Sequence, residues 1–218
     1  MKTPQDRKVE YSPRSSGQAE LIESLYHNDI VFALGPAGSG KTFIAAMKAI
    51  ELFQEQKVGK IILTRPAVTA DEDLGFLPGD MNEKLNPYLF PLIDAFTHHW
   101  QPGWLPRLQK MEQAEIASVG HMRGRSFYDS IIIVDEAQNL TYPQMKMILT
   151  RFGKGCKMII TGDPDQVDLE GRKESGLVAW ADMLCNTKGV GVVRLTSKDI
   201  HRHALVKRIV EEEEKYKR

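Results

Sequence analysis

Eight consecutive residues, Gly35-Pro36-Ala37-Gly38-Ser39-Gly40-Lys41-Thr42, leave this chain few ways to fold. They fit the pattern G-x-x-x-x-G-K-[ST]. They stand between an apolar run, Ile30–Leu34, and an Ala-, Met- and Lys-rich helical segment, Thr42–Phe53. A loop of this kind joins a strand to a helix. Its glycines let the backbone curve, so that successive N–H groups and the helix N-terminus face one anion. Lys41 is then placed to neutralise the β- and γ-phosphates of a nucleotide, and the Thr42 hydroxyl to hold Mg²⁺.

The alternation of strand and helix continues along the chain. Short apolar runs recur at Ile61–Leu63, Ile131–Val134, Met158–Ile160 and Val190–Val193. None alternates polar with apolar, which predicts strands buried on both faces, as in a parallel sheet covered by helices. Helical spacing appears in Leu21, Ile22 and Leu25, in Met145, Ile148, Leu149 and Phe152 ahead of Gly153, and in Leu177, Trp180, Ala181 and Leu184. Asp199 is expected to cap a last helix carrying Leu205, Val206, Ile209 and Val210. The expected architecture is α/β, a mostly parallel central sheet with helices on both faces. Residues 1–16 read as a loose arm, 17–210 as a single domain and 211–218 as a charged tail. The stretch from about 66 to 129 breaks the rhythm with its prolines and His98-His99-Trp100, and reads as an insertion rather than a second domain.

Two further motifs end strands. Ile131-Ile132-Ile133-Val134 delivers Asp135 and Glu136 to the C-terminal edge of the sheet, where open α/β sheets bind ligands. Asp135 is placed for the Mg²⁺ shell. Glu136 is placed to orient or deprotonate a water, which favours hydrolysis over transfer to a bulky acceptor. Thr161-Gly162-Asp163-Pro164-Asp165-Gln166 follows another strand, and Gln166 there can touch both a γ-phosphate oxygen and the attacking water. The same tract also reads as a plain Gly-Asp-Pro turn.

Composition narrows the class. The 218 residues carry 29 Lys+Arg against 29 Asp+Glu, so any nucleic-acid surface must be local. Two cysteines, Cys156 and Cys185, suit a reducing compartment. No apolar run approaches a membrane span, and the first residues lack a signal peptide's apolar stretch. The expected location is the cytoplasm, away from membranes. His98-His99 and His201-x-His203 lack a third ligand at zinc spacing.

From about Gln18 to Val210 the chain resembles the PhoH family, phosphate-starvation-inducible ATPases of bacteria and their phages. The residues that carry the likeness are the phosphate loop, Leu63-Thr64-Arg65-Pro66-Ala67-Val68, Leu74-Gly75-Phe76-Leu77-Pro78-Gly79-Asp80, Pro87-Tyr88-Leu89, Met122-Arg123-Gly124-Arg125, Asp135-Glu136-Ala137-Gln138-Asn139, Gln144-Met145-Lys146-Met147 and Arg202-His203. The order of motifs is also similar to the first motor domain of superfamily 1 helicases. The resemblance implies a RecA-like P-loop NTPase fold, with Met158–Ile160 lying between the phosphate-loop strand and the Asp-Glu strand. It implies ATP with Mg²⁺ as cofactors, and assigns Gln18 to the adenine edge.

A single motor domain must borrow what a second one supplies. The resemblance points to hexamers. A head-to-tail ring would let a neighbour's arginine complete each site, Arg202 first and Arg172 second. Arg65, Arg123 and Arg125 are candidate contacts to single-stranded RNA or DNA, a salt-dependent grip on the backbone. Arg123 and Arg125 can equally face the nucleotide or a neighbouring subunit. Trp100, Trp104 and Phe127 are either stacking platforms or, the favoured reading, core or insertion packing residues. The functions in view are a motor on single strands, a slow nucleotide-gated switch, or a kinase.

Overall fold

The computed structural model describes residues 9–66, 81–169, 171, 173–201 and 205, with the backbone alone over 81–88. Arg202, Arg172, the Leu74–Asp80 motif, most of the final helix and the charged tail lie outside the described residues.

Among the described residues, six strands form one sheet: β1 (Ile30–Leu34), β2 (Lys60–Thr64), β3 (Ala114–Ile116), β4 (Ser130–Val134), β5 (Lys157–Gly162) and β6 (Val190–Arg194). Their order is β3-β2-β4-β5-β1-β6, and every pairing is parallel. β5 does lie between β1 and β4, as expected. β3 was not expected. It belongs to the 66–129 insertion, which therefore contributes an edge strand to the sheet; three residues are too few to raise a periodic signal.

The strands are apolar throughout because both faces are covered. In β4, Ile131 and Ile133 join one buried cluster while Ile132 and Val134 join the other. On the first face lie helices α1 (Ser16–His27), α2 (Lys41–Gln54), α3 (Met81–Thr97) and α4 (Trp104–Lys110). On the second lie α5 (Tyr142–Leu149) and α6 (Leu177–Leu184). Ala45, Ala46 and Ala49 are fully buried along α2, so small side chains let that helix lie close to the sheet. The insertion packs with aromatics: Phe96 stacks on Trp104 at 4.6 Å between centroids, and Trp100 lies 5.2 Å from Trp104. Both tryptophans and Phe127 are buried, which settles them as packing residues.

One helix boundary differs from expectation. The stripe through Phe152 runs past the end of α5; the helix stops at Leu149 and Phe152 instead bridges to Phe127. Asp199 stands just before the stretch, mostly outside the described residues, where its expected helix falls. Its carboxylate turns back to accept from the Thr196 N–H at 2.7 Å and the Gly17 N–H at 3.2 Å, tying the chain after β6 to the start of α1. Those amides hold the Asp199 carboxyl below the usual range, against the effect of burial. Among the described residues, no helix is long and apolar enough to cross a membrane.

Candidate nucleotide site

Register decides where the motifs meet. Leu34 pairs with Gly162 and Thr64 with Val134, so β1 ends level with β5 and β2 level with β4, while Val134 meets Ile160, two residues before β5 ends. The residues that follow them, Gly35, Asp163, Asp135 and Arg65, therefore share one edge of the sheet. Here the strands line a cleft of about 260 Å³ touched by Gly38, Lys41, Thr42, Asp135, Glu136 and Gln166.

The loop from Gly35 to Gly40 wraps the N-terminus of α2. Gly40 sits at φ +88°, and a Cβ there would come within 2.8 Å of Gln18 Nε2. Glycine is required on both counts. Ser39 is fully buried, its hydroxyl donating to Pro36 O at 2.7 Å. Lys41 Nζ donates to Gly35 O at 2.5 Å and Pro36 O at 2.8 Å, and approaches Ser39 Oγ at 3.4 Å. Burial lowers the Lys41 ammonium from its usual range, while Asp163, Glu136 and Asp135 pull it back up. A cation held on neutral carbonyls, with carboxylates nearby but unbonded to it, is poised to take an anion.

Asp135 is buried. Its Oδ1 accepts from Thr42 Oγ1 at 2.9 Å and from Thr161 Oγ1 at 2.5 Å. This set of hard oxygens, one carboxylate beside one hydroxyl at the phosphate loop, fits Mg²⁺, which takes few protein ligands and completes its shell with phosphate and water. Glu136 has φ +53°, a left-handed conformation that costs a residue with a Cβ. Its carboxylate lies 3.4 Å from Arg65, which also approaches Asp135 at 3.9 Å. Arg65 is thus turned toward the two acids.

Gln166 meets the cleft through Asp163. Gln166 Nε2 donates to Asp163 Oδ2 at 2.5 Å, and the same oxygen accepts the Ala37 N–H at 3.1 Å. Gln18 is no surface glutamine: it is buried, with Nε2 on Ser39 O and Oε1 accepting the Arg14 N–H, both at 2.9 Å. Nε2 keeps a second hydrogen and Oε1 a second lone pair for a ligand.

The remaining arginines separate. Arg125 forms a two-pronged ion pair with Glu115 and lies over the Phe127 ring at 4.9 Å, which ties the end of the insertion to its own strand β3. Arg123 is exposed. His201, the residue before Arg202, donates its backbone N–H to Gly38 O at 3.3 Å, so the chain after β6 returns to the phosphate loop. Among the described residues, no group of three His, Cys, Asp or Glu is arranged to hold a metal ion.

Asp163, Gln138 and Thr161 escaped the sequence reading, although all stand within the motifs it used. An aspartate before a proline reads as a turn, and a glutamine after Asp-Glu carries no charge to flag it.

A sequence model of the family described as PhoH-like protein matches residues 10–214. The PhoH-like protein of Bacillus subtilis is 48% identical over 198 residues, 91% of this chain and 62% of that protein. The PhoH-like protein of Mycobacterium tuberculosis is 46% identical over 94% of this chain and 58% of its own, and Protein PhoH of Escherichia coli 41% over 89% and 56%. The chain thus spans a little over half the length of these relatives. The Pif1 helicase of Candida albicans overlaps 92% of this chain with 43% of its own at 15% identity, with a TM-score of 0.48, too low to add to the fold read from the sheet. With the family's sequence pattern running through β1 to β6 and every strand-end motif at one edge of an all-parallel sheet, the chain belongs to the PhoH family and has its RecA-like P-loop NTPase fold.

Proposed function

We propose that the chain is a Mg²⁺-dependent ATPase, working as a single domain over residues 17–210, whose turnover is coupled to single-stranded RNA or DNA. The observation that carries this reading is the 2.9 Å hydrogen bond from Thr42 to Asp135, which brings motifs 93 residues apart to one point at the mouth of the glycine loop. Membership of the PhoH family supports it.

In this reading the loop amides and Lys41 bind the triphosphate. Lys41 leaves the carbonyls of Gly35 and Pro36 for a phosphate oxygen, a stronger acceptor because it is charged. Thr42 and Asp135 would hold Mg²⁺, which when bound draws negative charge from the phosphates. Glu136 orients the attacking water and takes its proton. Gln166 leaves Asp163 for the γ-phosphate and the water, and Gln18 offers its unused hydrogen and lone pair to adenine.

A nucleic-acid strand would be gripped first by Arg123, which is exposed, whereas Arg65 and Arg125 reach a strand only by leaving carboxylates. A hexameric ring would bring Arg202 of a neighbour to each site, and a trans arginine is worth ~10³–10⁵ in rate. A second reading, a nucleotide-gated switch too slow to be a motor, is favoured by one observation: Lys41 and Gln166 both hold partners within the protein. Strand displacement under saturating ATP separates the two.

The test is phosphate release with and without single-stranded RNA or DNA, wild type beside Lys41→Ala. The reading expects release that rises with a strand and vanishes in the variant. Equal rates in both proteins overturn the site, and indifference to both strands overturns the coupling. Mixing Arg202→Ala with Lys41→Ala protomers restores turnover only if the arginine works in trans.

A further inference from the structure

Glu136 stands on strained backbone. Its left-handed φ of +53° begins the short turn Ala137–Asn139, which aims the side chain from a strained position. Side chains of that same turn supply the restraint. Gln138, 1% exposed, donates from Nε2 to Glu136 Oε2 at 2.5 Å. Its other end, Oε1, accepts the backbone N–H of Asp163 at 3.1 Å. Next to it Asn139, also buried, accepts the Asp168 N–H on Oδ1 at 2.8 Å.

The amide of Gln138 therefore ties the Glu136 carboxylate to the loop bearing Gln166. The tie is built into the sheet edge. Gly162 closes β5 directly beneath it, and a Cβ there would stand 3.0 Å from Gln138 Oε1 and 2.5 Å from Leu177. Only a residue without a side chain leaves Gln138 room to reach Asp163. Because one end must donate and the other accept, neither Glu nor Met can make both bonds. Beyond Asp163 the chain of contacts continues through its carboxylate to the Ala37 N–H of the phosphate loop.

We infer that Gln138 is the positioning residue for Glu136, holding the water-activating carboxylate in register with the Gly162–Gln166 loop. This rests on the ATPase reading above. Gln138 touches no phosphate; it acts through Glu136, so its loss should be felt in turnover and not in nucleotide binding.

The experiment compares Gln138→Met, which removes both hydrogen bonds at similar volume, and Gln138→Glu, which keeps the bond to Asp163 but replaces the donor to Glu136 with a like charge. Each is measured for kcat, KM and binding of a fluorescent ATP analogue. Both should lose ~10²-fold in kcat, at the lower end of what a positioned general base supplies, with KM and analogue affinity within about threefold. In a Glu136→Gln background, Gln138→Met should then cost less than about threefold more, because the carboxylate it positions is gone. A kcat within threefold of wild type in either variant overturns the inference, and so does a loss of analogue binding in step with kcat in both, which would mark Gln138 as structural. Should Gln138→Met fail to fold, Gln138→Glu decides. Failure of the ATPase reading itself looks different: Lys41→Ala would then hydrolyse ATP as fast as wild type.

Discussion

Helix α2 buries two lysines two turns apart, and they are handled in opposite ways. Lys48, 2% exposed, has its charge matched within the protein: Nζ pairs with Glu51 at 2.7 Å and sits 3.4 Å from the centre of the Tyr26 ring. The hydroxyls of Tyr11 and Tyr26 donate to the same Glu51 carboxylate, at 3.2 and 3.3 Å. Lys41, 8% exposed, bonds only to carbonyl oxygens and a hydroxyl. Burying a cation without an ionic bond is costly, and burial depresses Lys41 accordingly. A matched lysine is a piece of architecture. One left on neutral acceptors is held in readiness for a charge that arrives with a ligand.

The sharpest way to break this contrast is to exchange the consequences. Lys41→Ala should reduce ATP hydrolysis by ~10³-fold or more, at or beyond the loss of one transition-state donor, while the melting temperature holds or rises. A phosphate-release assay beside a thermal melt reads both. Lys48→Ala should do the reverse. Removing one partner of a buried pair costs ~3 kcal/mol of stability, visible as a lower denaturation midpoint, with kcat per folded molecule unchanged. Loss of activity without loss of stability at Lys48 would end the comparison.

Smaller effects sharpen it. Tyr26→Leu removes the ring under Lys48 and one donor to Glu51, and should lower stability by ~1 kcal/mol by urea titration. The pH dependence follows from Tyr11, whose phenol is raised above its usual value chiefly by burial, with Glu51 adding to the shift. A raised folded-state value means the folded protein keeps its proton after the unfolded chain has lost it. Tyr11 therefore stabilises fully below the ordinary tyrosine value of ~10 and loses that contribution as pH climbs beyond it. Denaturation midpoints followed from pH 8 to 11 should fall, and less steeply in Tyr11→Phe. An unchanged slope would place the alkaline sensitivity elsewhere.

Lys41 and Lys48 also mark how far local reading reaches. The phosphate loop declared Lys41 because its neighbours are glycines, a pattern that needs no partner from elsewhere. Lys48 is an ordinary helical lysine by sequence; Glu51 stands one turn on in the same helix, but Tyr11 and Tyr26 arrive from α1 and the chain before it. The same holds for the arginines. Arg65, Arg123 and Arg125 look alike as basic residues in loops, yet Arg65 faces Asp135 and Glu136, Arg125 is clasped by Glu115 although exposed, and Arg123 is exposed. Charge type is legible along a chain, but the distance to an opposite charge is not.

Local patterning was sufficient for five of six strands, for parallel pairing and for the three strand-end motifs, since apolar runs, glycines and paired acids act over a few neighbouring residues. The resemblance to relatives placed β5 between β1 and β4. Folding in three dimensions settled the rest: that the insertion completes the sheet with Ala114–Ile116, that Trp100 and Trp104 pack inward, and that Asp163 and Gln138 link the phosphate loop to Glu136. Those contacts join residues up to 126 positions apart, and nothing short-range in a chain encodes which side chains the shared edge of a parallel sheet will set side by side.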